Sequence, residues 1–228
     1  MKQTFSDITK PISRRAFLSL TGTLSLGVAT IGIPLPTEAV KFDRTLHKVS
    51  KSQLGMGTFI NMIVFHPSTG EAEEAMGRAF AEINRLTSLM TRFQGTSYIG
   101  HLNAAGFLKG APPEVMEVLH SSLRYHTISQ GAFDITVLPI VDLYKRSFQA
   151  NNAPPSPQAL QEAMERVGSQ HLMVTKDSIS FARGGMEVTL DGIAKGYIID
   201  QAMDLLRQQN IQHALINAGG DIVVYGGK

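Results

Sequence analysis

The stretch 188–200, Val-Thr-Leu-Asp-Gly-Ile-Ala-Lys-Gly-Tyr-Ile-Ile-Asp, constrains this chain more than any other. It sets a short apolar strand, predicted over 187–190, directly before an amphipathic helix predicted over 193–209. The joint is a turn carrying Asp191 and Gly192, so a sheet layer and a helix must meet at one tight corner. The first amides of such a helix have no intrahelical acceptor and aim at whatever lies above the turn, a setting suited to phosphate or pyrophosphate. Strand–turn–helix joints with two glycines, here Gly192 and Gly196, are nevertheless common, and this one alone names no ligand.

The rest of the chain supplies the layers. Residues 58–65 are rich in β-branched and aromatic types and end in the turn chemistry of 66–70, which predicts a strand; 40–54 reads as a linker into it. Apolar residues at Ala72, Ala75, Met76, Ala79, Phe80, Ile83, Leu86 and Met90 fall three and four apart, so a helix is predicted over 71–90. Glu71, Glu73 and Glu74 suit the positive end of its dipole. A polar loop is expected over 94–103, and Pro112-Pro113 opens a further helix. The 131–137 segment breaks that helical pattern, 151–157 reads as a Pro/Asn loop, and 157–167 as a short helix. Two strands flank a hairpin at 176–178, and 214–218 and 222–225 read as closing strands. This order predicts an α+β class, one domain over 40–228 with a mixed or antiparallel sheet flanked by helices.

The chain has 228 residues, 43% of them hydrophobic, enough for a real core. Its 21 basic and 19 acidic residues are unevenly placed: the first 39 hold four and two, leaving 17 of each beyond. The domain is therefore formally neutral and offers no electrostatic case for nucleic acid. Without cysteine there is no disulfide, thiolate metal site or acylated cysteine. Ser13-Arg14-Arg15-Ala16-Phe17-Leu18 is a twin-arginine pattern before an apolar run over 16–33, and Thr37 and Ala39 offer small residues for cleavage. Residues 1–39 are thus expected to be an export signal read by the twin-arginine translocation machinery. The location expected is periplasmic, with association with the inner membrane left open. The apolar run is short for a spanning helix, which needs about 20 apolar residues.

Familiar catalytic patterns are missing: no His-Glu-x-x-His, no Gly-x-Ser-x-Gly, no P-loop, no cysteine nucleophile. Three segments remain. Ala132, Phe133 and Asp134 follow Gly131 in a predicted loop. They could receive a planar ring, or they could be a helix C-cap followed by a turn former. Lys195 stands in a first helical turn, where the dipole disfavours a cation, which hints at a nearby anion. Asn217-Ala-Gly-Gly-Asp221 could close a site or simply turn a hairpin.

Taken together, five motifs resemble the ApbE family. They are Met56-Gly-Thr58; Leu86-Thr-Ser-Leu-Met90 followed by Tyr98 and Leu102-Asn103; Gly131-Ala-Phe-Asp-Ile-Thr-Val-Leu-Pro139; Leu190-Asp-Gly-Ile-Ala-Lys-Gly-Tyr197; and Asn217-Ala-Gly-Gly-Asp221, in that order over roughly 54–226. Members are FAD:protein FMN transferases, which split FAD at its pyrophosphate, attach FMN to a Thr or Ser hydroxyl of an acceptor protein and release AMP. The resemblance implies FAD as substrate, Mg²⁺, and a periplasmic or membrane-bound electron-transfer acceptor as partner. It implies flavin or adenine contacts at Met56, Phe93, Ala132, Phe133, Asp134, Thr189 and Lys195, and a metal-ligating carbonyl at Gly192; it assigns no catalytic residue. Thr189 stands where many members carry Asp, with Asp191 two residues later either replacing that carboxylate or capping the helix. Members also continue past the Asn-Ala-Gly-Gly-Asp strand into a His motif and further metal ligands, so the chain is expected to be C-terminally incomplete. Alternatives are a non-catalytic FAD-binding or assembly protein and an inactive truncated member.

Overall fold

The computed structural model describes residues 38–41 and 45–226. The predicted export signal lies outside the described residues except for Glu38 and Ala39. These begin β1 (Glu38–Lys41), which pairs with β2 (His47–Gly55). The expected linker over 40–54 is therefore corrected to two strands. Val49 explains why β2 forms: it is fully buried opposite Val64, so the segment's alternation carries one face into the core.

β3 (Thr58–His66) alternates cleanly, with Ile60, Met62 and Val64 buried on one face. It pairs on one side with β2 and on the other with β7 (His213–Ala218), whose Ala214, Ile216 and Ala218 share that face. β8 (Asp221–Tyr225) completes a five-stranded antiparallel sheet of order β1-β2-β3-β7-β8. Two helices cover its buried face. α1 (Thr69–Met90) starts at Ser68, whose side chain accepts from the Glu71 amide. It buries the whole predicted stripe from Ala72 to Met90. α6 (Ala194–Gln208) lies against α1 and buries Ile198, Ile199, Ala202 and Leu206. Each such aliphatic side chain contributes roughly 1.5–3 kcal/mol of transfer free energy.

The remaining elements build a second layer. α2 (Tyr98–Ala105) replaces the polar loop expected over 94–103. The Ser97 hydroxyl accepts from the Gly100 amide, Gly106 ends the helix in the left-handed region, and Ile99 and Leu102 are buried. The polar residues of that stretch had hidden a two-turn helix with only one apolar edge. β4 (Phe107–Lys109), β5 (Leu172–Val174) and β6 (Ser178–Phe181) form a small antiparallel sheet of order β4-β6-β5. Between its strands run α3 (Pro113–Ile128), α4 (Leu138–Asn151) and α5 (Pro157–Met164). Among the described residues no helix is long and apolar enough to cross a membrane.

The strand expected over 187–190 is also corrected. Residues 186–190 form no strand and join no sheet. A side chain takes the partner strand's place: Asn103 Nδ2 donates to the Val188 carbonyl at 2.9 Å and its Oδ1 accepts from the Val188 amide at 2.8 Å. The Thr189 amide donates to the Ile135 carbonyl at 2.8 Å. Only an amide side chain offers donor and acceptor at this spacing. Asn103→Ala is expected to cost about 2 kcal/mol, since two part-buried backbone groups lose their partners. Urea denaturation tests this, and a loss below about 0.5 kcal/mol would refute the role.

Candidate functional site

A cleft of about 460 Å³ opens where the β2–β3 hairpin turn, the end of α1 and the start of α6 converge. Met56 and Gly57 form its roof from the hairpin, and Thr87, Met90, Thr91 and Phe93 a wall from α1 and the loop after it. Leu190, Asp191, Ala194, Lys195 and Ile198 form the other wall. Spacings of three and four around Ala194, Lys195 and Ile198 put them on one helical face. The size falls within the range of pockets that take a cofactor-sized ligand.

The hairpin turn is tight: Gly55 pairs with Thr58, leaving two residues between the strands. Both have positive φ, 51° at Met56 and 72° at Gly57, as hairpins of this length require. A methionine in the left-handed region costs roughly 1 kcal/mol, and here that residue faces the cleft. Met56→Asn is expected to leave stability unchanged or raise it. Calorimetry tests this, and a stability loss above about 1 kcal/mol would refute it.

The charged groups around the cleft are paired. Lys195 Nζ lies 3.1 Å from Asp221 Oδ2. Arg92 Nε lies 3.2 Å from Asp191 Oδ2, and another of its guanidinium nitrogens 3.9 Å from Asp142 Oδ1. Three carboxylates thus face two cations. The Asn217–Asp221 segment is a hairpin turn, with Ala218 opposite Asp221 and two glycines of positive φ between them. A Cβ on Gly219 would come within 2.4 Å of Thr58 Oγ1, so only glycine lets the two hairpins approach. The hairpin-turn reading of the segment is the one observed, and the turn sets Asp221 beside Lys195.

Of the residues singled out in the sequence, Met56, Phe93 and Lys195 meet in the cleft. Gly192 adjoins it, and a Cβ there would stand 3.3 Å from Phe133 Cε2, so the Phe133 ring packs on the turn itself. Thr189 is buried and its hydroxyl accepts from the Asp191 amide at 3.2 Å; it shapes the turn and does not line the cleft. Asp191, by contrast, is exposed and lines it. Ala132 is exposed outside the lining residues.

Asp134 is occupied internally. Its carboxylate accepts from the Thr136 amide (2.8 Å) and hydroxyl (2.6 Å) and from the Ser169 amide (2.9 Å) and hydroxyl (2.7 Å), with His126 Nδ1 at 3.3 Å. Burial pushes this carboxyl up, but the bonds from Thr136 and Ser169 outweigh it and hold the group below the usual carboxylate range. The turn-forming reading of Asp134 is the one its contacts support. It contributes by fixing Phe133, whose amide and carbonyl are also held, by Ser129 and His126.

A sequence model of the ApbE family matches residues 56–228, three-quarters of the chain and all five motifs. The chain belongs to the ApbE family. It is 30% identical over 160 residues to a FAD:protein FMN transferase of Klebsiella pneumoniae, covering 68% of this chain and 50% of that protein. With the FAD:protein FMN transferase of Haemophilus influenzae it is 24% identical over 211 residues, covering 88% and 60%. The fold matches that of the flavin transferase ApbE from Vibrio cholerae with a TM-score of 0.73 at 22% identity, over 80% of this chain and 60% of that one. The chain therefore spans half to three-fifths of the length of these relatives. The α+β reading with antiparallel sheets is the ApbE fold.

Arg92 and several lining residues escaped sequence reasoning. Arg92 carries no local signal, because its partners lie 50 and 99 residues away. Ala194 and Ile198 had one: their helical spacing with Lys195 marks a face, but not whether that face meets core or cleft.

Proposed function

We propose that this ApbE-family chain takes part in transferring FMN from FAD to a Thr or Ser hydroxyl of an acceptor protein. The hydroxyl oxygen forms a phosphodiester with the FMN phosphorus, the pyrophosphate bond breaks, and AMP leaves. One observation carries the reading: the cleft brings Met56, Phe93, Lys195 and the Asp191–Gly192 turn, distant in sequence, to one place. Its apolar roof and wall suit a flavin ring, and Lys195 at the start of α6 suits the pyrophosphate.

The donor set fits Mg²⁺. Three carboxylates against two cations leave the cleft short of positive charge for a pyrophosphate. The Gly192 carbonyl and the Asp191 carboxylate are oxygen donors of the kind Mg²⁺ prefers. No group of three or more His, Cys, Asp or Glu among the described residues could hold a metal ion, so substrate phosphates and water would complete the shell. When bound, the ion would offset charge on the pyrophosphate. In this reading Lys195 orients the phosphates while Met56 and Phe93 exclude water around the ring. The acceptor belongs to an exported electron-transfer system, and the twin-arginine pattern supports a periplasmic site of action.

The test incubates the protein with FAD, Mg²⁺ and an acceptor bearing an exposed threonine motif, then measures acceptor mass and released AMP. Mass gain by one FMN with equal AMP is the expected result. FAD binding without either product would instead make the chain a flavin-binding or assembly protein.

A further inference from the structure

Arg92 stands behind the cleft wall. Its neighbours in sequence, Thr91 and Phe93, line the cleft, whereas its own side chain is only 15% exposed. The guanidinium sits 4.2 Å above the centre of the Phe93 ring and reaches Asp191 across the corner between the α1 loop and the α6 turn. Asp191 is the opposite kind of residue: its side chain is 62% exposed, and it lines the cleft directly. A phosphate-bearing ligand entering here meets a carboxylate first. That carboxylate repels it unless the charge is cancelled at close range, and Arg92 cancels it from behind. Asp142 on α4 lies 3.9 Å from another of the guanidinium nitrogens.

We propose that Arg92 and Asp191 form a charge gate that sets how well this cleft accepts phosphate-bearing ligands over uncharged ones. Arg92 is a positioning residue acting through Asp191 and Phe93. The pair ties the Asp191–Gly192 turn to the loop holding Phe93, so one interaction orders both walls. Removing Arg92 leaves Asp191 and Asp142 uncompensated beside the cleft. Removing the Asp191 charge does the reverse: Arg92 is then balanced by Asp142 and the wall carries no net negative charge. The inference rests on the proposed function only for the ligand's flavin part; its charge logic applies to any phosphate.

The test measures dissociation constants for FAD, ADP and riboflavin in metal-free, low-salt buffer, using wild type, R92Q, D191N and R92Q/D191N. R92Q is expected to weaken FAD and ADP about tenfold and to leave riboflavin within about twofold. D191N should tighten FAD and ADP several-fold, the double variant should return close to wild type, and rising salt should shrink these differences. If R92Q fails to fold, D191N carries the comparison, and R92K, which keeps the charge, should bind FAD and ADP within about twofold of wild type. Equal weakening of riboflavin and FAD in R92Q would make Arg92 a mere support for Phe93 and overturn the proposal, as would absence of recovery in the double variant. Charge-sensitive ADP binding without any flavin binding would sustain the gate and overturn the flavin reading. Flavin binding indifferent to all variants would do the opposite, and binding of none of the three ligands by wild type would overturn both.

Discussion

Replacing Asp134 with alanine is expected to cost about 2–4 kcal/mol of folding stability, since donors of the buried Thr136 and Ser169 are left without an acceptor, at about 1–3 kcal/mol for each unpaired group. The carboxylate receives two backbone amides and two hydroxyls, and their owners Thr136 and Ser169 are 0% and 2% exposed. Water cannot take over those bonds without opening the structure. Thr136 Oγ1 also accepts from the Gly168 amide at 2.7 Å, so the loss spreads to the crossing of two loops. Asp134→Asn keeps the shape and should cost less. The pH dependence separates the two effects. Because the folded carboxyl is held below its ordinary value, its stabilisation is fully present above that ordinary value and is lost as pH falls through the lowered one. Chemical denaturation across that acid range should show the slope in wild type and not in Asp134→Asn. A cost below about 1 kcal/mol for Asp134→Ala would refute the account.

Lys195→Ala is expected to do the reverse, leaving the fold intact while reducing FAD affinity about 100-fold, or roughly 2.7 kcal/mol. Its ion pair with Asp221 joins side chains 29% and 50% exposed, and such a pair contributes at most about 1 kcal/mol. A cation in the first turn of α6 opposes the helix dipole, so its removal does not weaken the helix. On the proposed function, what is lost is a charge-assisted contact to phosphate within a partly apolar cleft, where such contacts are strongest. Flavin fluorescence titration and a thermal melt together decide the matter. A variant binding FAD like wild type would remove Lys195 from the site. A variant melting many degrees lower would make it structural.

The contrast between Asp134 and Lys195 shows where sequence reasoning is strong and where it stops. Both sit in recognisable motifs, and both were read as ligand contacts by resemblance. Lys195 ends in the cleft because a helical face carries it there with Ala194 and Ile198. Asp134 turns inward because, besides Thr136 two residues on, two of its donors come from Ser169, 35 residues on, which no local pattern announces. Segment 186–190 teaches the same point: apolar residues suggested a strand, but the partner supplied by the fold is the side chain of Asn103.

Helices α1, α3 and α6, the turns at 176–178 and 218–221 and the five motifs were all legible in the sequence. Helical spacing, capping residues and left-handed glycines act within a few residues of one another and need no knowledge of the rest. Only the tertiary structure decided which motif residues share a cleft and which are spent in the core. It alone brought Arg92 to Asp191 across 99 residues and set Gly219 against Thr58. Those contacts depend on how layers stack and which backbone groups are left wanting partners, and such requirements exist only once the whole chain has packed.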